Sequence, residues 1–255
     1  MFPVLTNIPL GRPREITLPR DIFAASATRT SVPFLELSVV WIEQGIELDD
    51  GAGDVGERRA IIRAAFKCLA EPHTGAVPIA AVLARAGVSS RAFYRHFESK
   101  DALFLAMQEC SGRVLGLGLD QIADDTDGAP ADLLAQWIRV SFDAIQDARI
   151  RGRAIVLDLE EVRAARGYQS GQEQWRRDRE RSLAGLLRRG RADGSFPLTR
   201  PERDAAAIRA VVSDELARLG TGGDDRDWEC ARAASVDFAL RAVGARRTCG
   251  EPDNT

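Results

Sequence analysis

The twelve residues from Ala86 to Phe97, AGVSSRAFYRHF, hold two arginines, a tyrosine, a histidine and two phenylalanines behind a small turn. Gly87 can stop one helix and the Ser89 hydroxyl can cap the next by accepting a backbone N–H. With ~100° per residue and Ser90 at zero, Phe93 and Phe97 fall at ~300° and ~340° and define a buried side. Arg91, Arg95 and Ala92, at ~100°, ~140° and ~200°, then face outward, while Tyr94 and His96 flank them at ~40° and ~240°. Guanidinium groups can bind guanine O6 and N7 in pairs, and an alanine methyl can meet a thymine methyl. Hydroxyls, imidazole and ammonium suit phosphate oxygens, which fix register without reading sequence. Lys100 sits beside a helix start that already favours an anion. The expected nucleic-acid contacts are therefore Ser89, Ser90, Arg91, Ala92, Tyr94, Arg95, His96 and Lys100.

A solvated helix face would need the same polar residues, so the surrounding elements decide between the two readings. From Glu57 a helical period sets in, with Ile61, Ile62, Ala65, Phe66 and Leu69 on one face. Pro72, Gly75 and Pro78 interrupt it, and Pro78 can open a second helix carrying Ile79, Val82, Leu83 and Ala86. Gly87 ends that helix, Ser89 caps the third, and Ser99 caps a fourth running through KDALFLAMQECSGRVLGLGL. Further helical patterns cover about 130–148, 150–165, 168–192, 201–220 and 226–245. The fold class expected is all-α with about nine helices. A helix-turn-helix domain over 56–103 precedes a larger helical domain for effector binding and dimerisation over 104–247, and a tail spans 248–255. Residues 1–55, with five prolines and no sustained period, read as an irregular arm. A start site placed too far upstream would also produce such a segment.

The chain of 255 residues carries a formal charge of −3, unevenly spread. Residues 1–56 hold four arginines against eight acids, residues 57–103 hold eight basic residues against four acids, and the remainder carries −3. Positive charge is thus concentrated where a phosphate-binding face needs it. Four cysteines without CxxC spacing and two histidines, His73 and His96, give zinc almost no ligands, so no metal site and no cofactor are expected. No apolar run has the length of a membrane span, and the N-terminus lacks a basic region leading into a long apolar core; the expectation is a cytoplasmic protein.

The turn Ala86-Gly87-Val88-Ser89, the helix end Tyr94-Arg95-His96-Phe97 and the continuation Glu98-Ser99-Lys100-Asp101-Ala102-Leu103 together resemble the TetR/AcrR family of transcriptional regulators. The resemblance covers about residues 57–105. It implies a homodimer that binds a palindromic double-stranded DNA operator through two heads, represses, and releases DNA when a small molecule enters the C-terminal domain. Three features depart from the family pattern. Arg91 stands where a small residue is frequent, Pro78 stands where a threonine or serine often meets phosphate, and a long arm precedes the first helix.

The resemblance puts the dimer interface in the last two helices. Ala205, Ile208, Val212, Leu216 and Leu219 repeat at helical spacing, as do Trp228, Ala231, Ser235, Phe238 and Ala242, which suits a four-helix interface and equally suits core packing. Trp137, Phe142, Leu157, Tyr168, Trp175 and Phe196 could line an apolar effector pocket or fill a core, so no ligand contact is assigned. The alternative from another class is a helical enzyme that uses this pocket with the acids Asp158, Glu160 and Glu161.

Overall fold

The computed structural model describes residues 54–220 and 224–245. Of the arm expected over 1–55, residues 1–53 lie outside the described residues, while Asp54 and Val55 belong to the first helix; the tail over 248–255, with Cys249, also lies outside them. Among the described residues there are ten α-helices and no strand.

Helix α1 (Asp54–Ala70) buries Ile61, Ile62, Ala65 and Leu69, the face its period announces. Helix α2 (Ile79–Ala86) starts after Pro78 and buries Val82 and Leu83. It ends because Gly87 adopts φ 68°, a left-handed conformation that a Cβ disfavours. The Gly87 and Val88 N–H groups both turn back to the Leu83 carbonyl. Helix α3 (Ser90–His96) is capped by the Ser89 hydroxyl, which accepts from Ala92 N at 3.2 Å. Helix α4 (Lys100–Asp124) is capped in the same way by Ser99, from Ala102 N at 3.1 Å.

Next come α5 (Pro130–Gln146), α6 (Ala148–Leu157), α7 (Glu160–Arg163), α8 (Tyr168–Ala192), α9 (Pro201–Leu219) and α10 (Asp225–Val243). The single helix expected over 150–165 is instead α6 and α7, divided at Leu159 with ψ 141°. No proline or glycine marks this break. It is a tertiary effect, which buries Val162 and brings Glu161 to the Val77 backbone at 2.9 Å.

Two apolar cores result. Ile61, Leu69, Phe93, Phe97, Leu103 and Phe104 share one with Val156, Leu157, Val162 and Tyr168. The three-helix head is therefore closed from below by α6, α7 and the start of α8. The boundary expected at 103/104 falls inside the continuous helix α4, which serves both halves. The second core joins Trp137, Phe142, Leu183, Leu186, Phe196, Ile208 and Trp228. The aromatic residues considered for one effector pocket are thus divided. Trp137, Phe142 and Phe196 fill the second core, Leu157 and Tyr168 fill the first, and Trp175 lies half-buried on Gly112.

The stripe of the last two helices is divided between core and surface. Ala205, Ile208, Val212, Trp228, Ala231 and Ser235 are buried within the chain itself, because α9 and α10 need that face to cover α5 and α8. Phe238 and Ala242 of that stripe stay exposed, and Ala207, Ala210 and Ala217 on α9 and Ala234 on α10 complete the outward face.

Candidate nucleic-acid interface

Helix α3 is short, and its anchors are fully enclosed. Phe93 has no exposed surface and Phe97 almost none; their rings lie 5.5 Å apart, and the Arg58 guanidinium stands 5.2 Å from the Phe97 ring centre. The Tyr94 ring meets Phe93 edge-on at 5.2 Å, which holds its hydroxyl end outward. Ser89, Ser90, Arg91, Tyr94 and Arg95 are exposed, Tyr94 by 61%. Among the described residues Arg91 has no ion-pair or hydrogen-bond partner.

Ala92 is only 7% exposed, so its expected outward position is corrected. The buried arc of α3 holds Ala92, Phe93, Phe97 and the His96 ring, which moves its centre away from the two phenylalanines toward the side of Ala92. The flanking position expected for His96 fails for the same reason. Its side chain is 5% exposed, with Nε2 turned to Glu57 Oε2 at 3.2 Å and Asp54 Oδ1 at 3.6 Å on α1.

Arg95 faces the same two acids. Its Nε lies 2.8 Å from Asp54 Oδ1, and Nη2 donates to Glu57 Oε2. Asp54, Glu57 and His96 present ligand atoms all within 4.8 Å of one another, a donor set a divalent cation could use. The Arg95 guanidinium neutralises both carboxylates where they stand. Asp54 and Glu57 were not singled out in the sequence. The only signal for them was the acidic first turn of α1, one helix away from the residues they hold.

Lys100 is also tied rather than waiting at the surface. Its ammonium donates to the Val77 carbonyl, lies 3.5 Å from Glu161 Oε2 and stands 5.3 Å from the Phe104 ring centre. Glu161 Oε2 in turn accepts from Val77 N. One carboxylate on α7 thereby fixes both the loop before α2 and the start of α4. Arg85 is neutralised by a two-pronged pair to Glu71 at 2.6 and 2.8 Å, which holds its pKa above the ordinary value. The positive charge of residues 57–103 is therefore divided. Arg91 remains available on α3, while Arg58, Arg59, Arg63 and Lys67 line a groove on the far face of α1.

A Gly-stopped helix, a serine-capped helix with outward arginine and tyrosine, and a second serine cap form a tri-helical head of the helix-turn-helix kind. Residues 61–107 match the family model of bacterial regulatory proteins, tetR family. The match covers the helix-turn-helix segment of the chain. Its described fold agrees with that of several solved structures. SmeT in its triclosan complex is 23% identical with a TM-score of 0.62, covering 78% of this chain and all of that one. NalD of Pseudomonas aeruginosa, described as the secondary repressor of the MexAB-OprM multidrug efflux pump, is 18% identical with a TM-score of 0.57, over 76% of this chain and 98% of that one. Reduced NemR of E. coli is 17% identical with a TM-score of 0.58, over 70% and 95% respectively. No curated protein sequence matches the chain. Among the described residues no helix is long and apolar enough to cross a membrane.

Proposed function

We propose that the chain is a sequence-specific DNA-binding transcriptional regulator, a homodimeric repressor that a small-molecule effector releases from a palindromic operator. The observation that carries this reading is the outer face of α3, where Arg91 stands without a partner among the described residues beside the exposed Tyr94, Ser90 and Ser89. Arg91 is the base reader, by bidentate contact in the major groove. Tyr94, Ser89 and Ser90 meet phosphates. Arg95 and Lys100 join only if they leave the acids that hold them, so they act as secondary contacts. The repressor NalD and the triclosan complex of SmeT support repression and effector binding. A two-headed reader of a palindrome needs a dimer, and the small outward residues Ala207, Ala210 and Ala234 beside Phe238 suit close helix packing.

Of the three acids in the enzyme alternative, Glu161 is committed to Val77 and Lys100, which counts against that reading. Fluorescence anisotropy with DNA from upstream of the gene tests the regulator reading. Specific binding that weakens steeply with salt is expected, and binding that is indifferent to sequence would overturn it.

A further inference from the structure

The groove beneath the head carries a chemistry that DNA reading does not use. It is a cavity of about 760 Å³ between α1, α4 and α6, floored by Ile62, Phe66, Ala106, Leu117 and Val156. Among the described residues, seven basic side chains line it against one acid, Glu109. That acid is engaged by Arg113. Arg153 lies half-buried over the Phe66 ring, 5.6 Å from its centre, with no carboxylate in salt-bridge distance among the described residues. Burial lowers its pKa, and the more distant Asp147 carboxylate offsets this only in part. Arg63 and Lys67, on the rim, are exposed and likewise have no partner among the described residues.

A buried charge without a counter-ion is costly, and here several cations converge over an apolar floor in a chain whose net charge is −3. We infer that this groove is a binding site for a small organic oxyanion, a carboxylate or phosphate monoester, that carries an apolar chain. The oxyanion meets Arg153, Lys67 and Arg63; the chain lies along Phe66, Ile62 and Val156. The volume is of the size that holds a drug-sized ligand.

The position also gives the site a lever. On α1 the groove residues Val55, Arg59, Ile62, Phe66 and Ala70 lie on the side of the helix opposite Asp54, Glu57, Ile61, Ala65 and Cys68, which face the rest of the head. A ligand wedged between α1 and α6 pushes the helix that holds α3 from behind. Arg58 belongs to the groove and also stands over Phe97, the anchor of α3. Binding stands on the groove alone; its coupling to DNA release rests on the regulator reading.

The test is titration calorimetry on the full chain without DNA, using octanoate, octyl phosphate, octanol and inorganic phosphate. Saturable binding of octanoate or octyl phosphate is expected, and the tighter of the two identifies the head group. Arg153→Met should weaken it about tenfold and Arg153→Lys far less, and the exposed pair Arg63→Gln with Lys67→Gln, which leaves the core intact, should also weaken it about tenfold. Octanol or inorganic phosphate binding as tightly as the amphiphiles would overturn the inference, as would variants that bind unchanged. Anisotropy with operator DNA is run in parallel. Ligand binding by a protein with no DNA affinity still supports the site and sinks only the regulator reading; DNA binding with no ligand binding does the reverse.

Discussion

Arg91 and Arg95 lie one helical turn apart on the same exposed strip of α3, yet their situations differ, because among the described residues only Arg95 finds carboxylates, those of Asp54 and Glu57. Arg91→Ala should cost about 1–3 kcal/mol of discrimination between operator variants, measured by anisotropy across single base-pair changes. A uniform loss over all sequences would show that Arg91 meets phosphate instead. Glu57→Gln should loosen Arg95 and steepen the salt dependence of binding by about one unit of slope, read from affinity against salt concentration. The types and spacing of α3 were legible in the sequence, including both serine caps. Ala92 and His96 were misplaced because a wheel anchored on two phenylalanines takes no account of the helix crossing above it. Packing against α1 turned the buried arc toward the side on which those two residues lie.

At the scale of elements, close approaches set the joints between helices. Gly190 on α8 has no room for a side chain, since a Cβ there would meet the Phe196 ring at 2.1 Å, and Phe196 is fully buried. Gly190→Ala should lower stability by about 1–3 kcal/mol despite the better helix propensity of alanine, seen as a lower midpoint in chemical unfolding. The outer face of α8 is held by charge. Glu173 accepts from Arg176 at 2.6 and 2.8 Å and from Arg177 at 2.9 Å, which depresses its carboxyl from 4.5 to about 2. A depressed carboxylate contributes stability above its unfolded pKa and loses it as pH falls through the folded value. Glu173→Gln should therefore flatten the fall in stability between about pH 4.5 and 2, a small effect at an exposed site, followed by helical ellipticity during acid titration. Helix periods announced most of these elements, whereas the break between α6 and α7 had no local signal, because it is set by the meeting of Val162 and Glu161 with the head.

For the whole molecule, the proposed pair of heads depends on the outward face of α9 and α10. Phe238, 36% exposed beside Ala234, is the largest apolar group there. Phe238→Glu should shift the chain from dimer to monomer in sedimentation velocity and weaken operator binding while sparing the helical content, since the residue is outside both apolar cores. A dimer that survives this change would place the interface elsewhere. Within one chain the head and body are joined by the shared core and by Glu161, whose carboxylate reaches Val77 across 84 positions of sequence.

The sequence by itself determined the all-α class, the caps, the Gly87 turn and the three-helix head, because each follows from periodicity or from hydrogen bonds between residues a few positions apart. Tertiary structure decided which cations remain available. Asp54 and Glu57 claim Arg95, Glu161 claims Lys100, and the arginines of α1 turn to a groove with α4 and α6. Charge in a sequence can be counted, but its availability is a matter of distance to an opposite charge, and those distances exist only once the helices have packed.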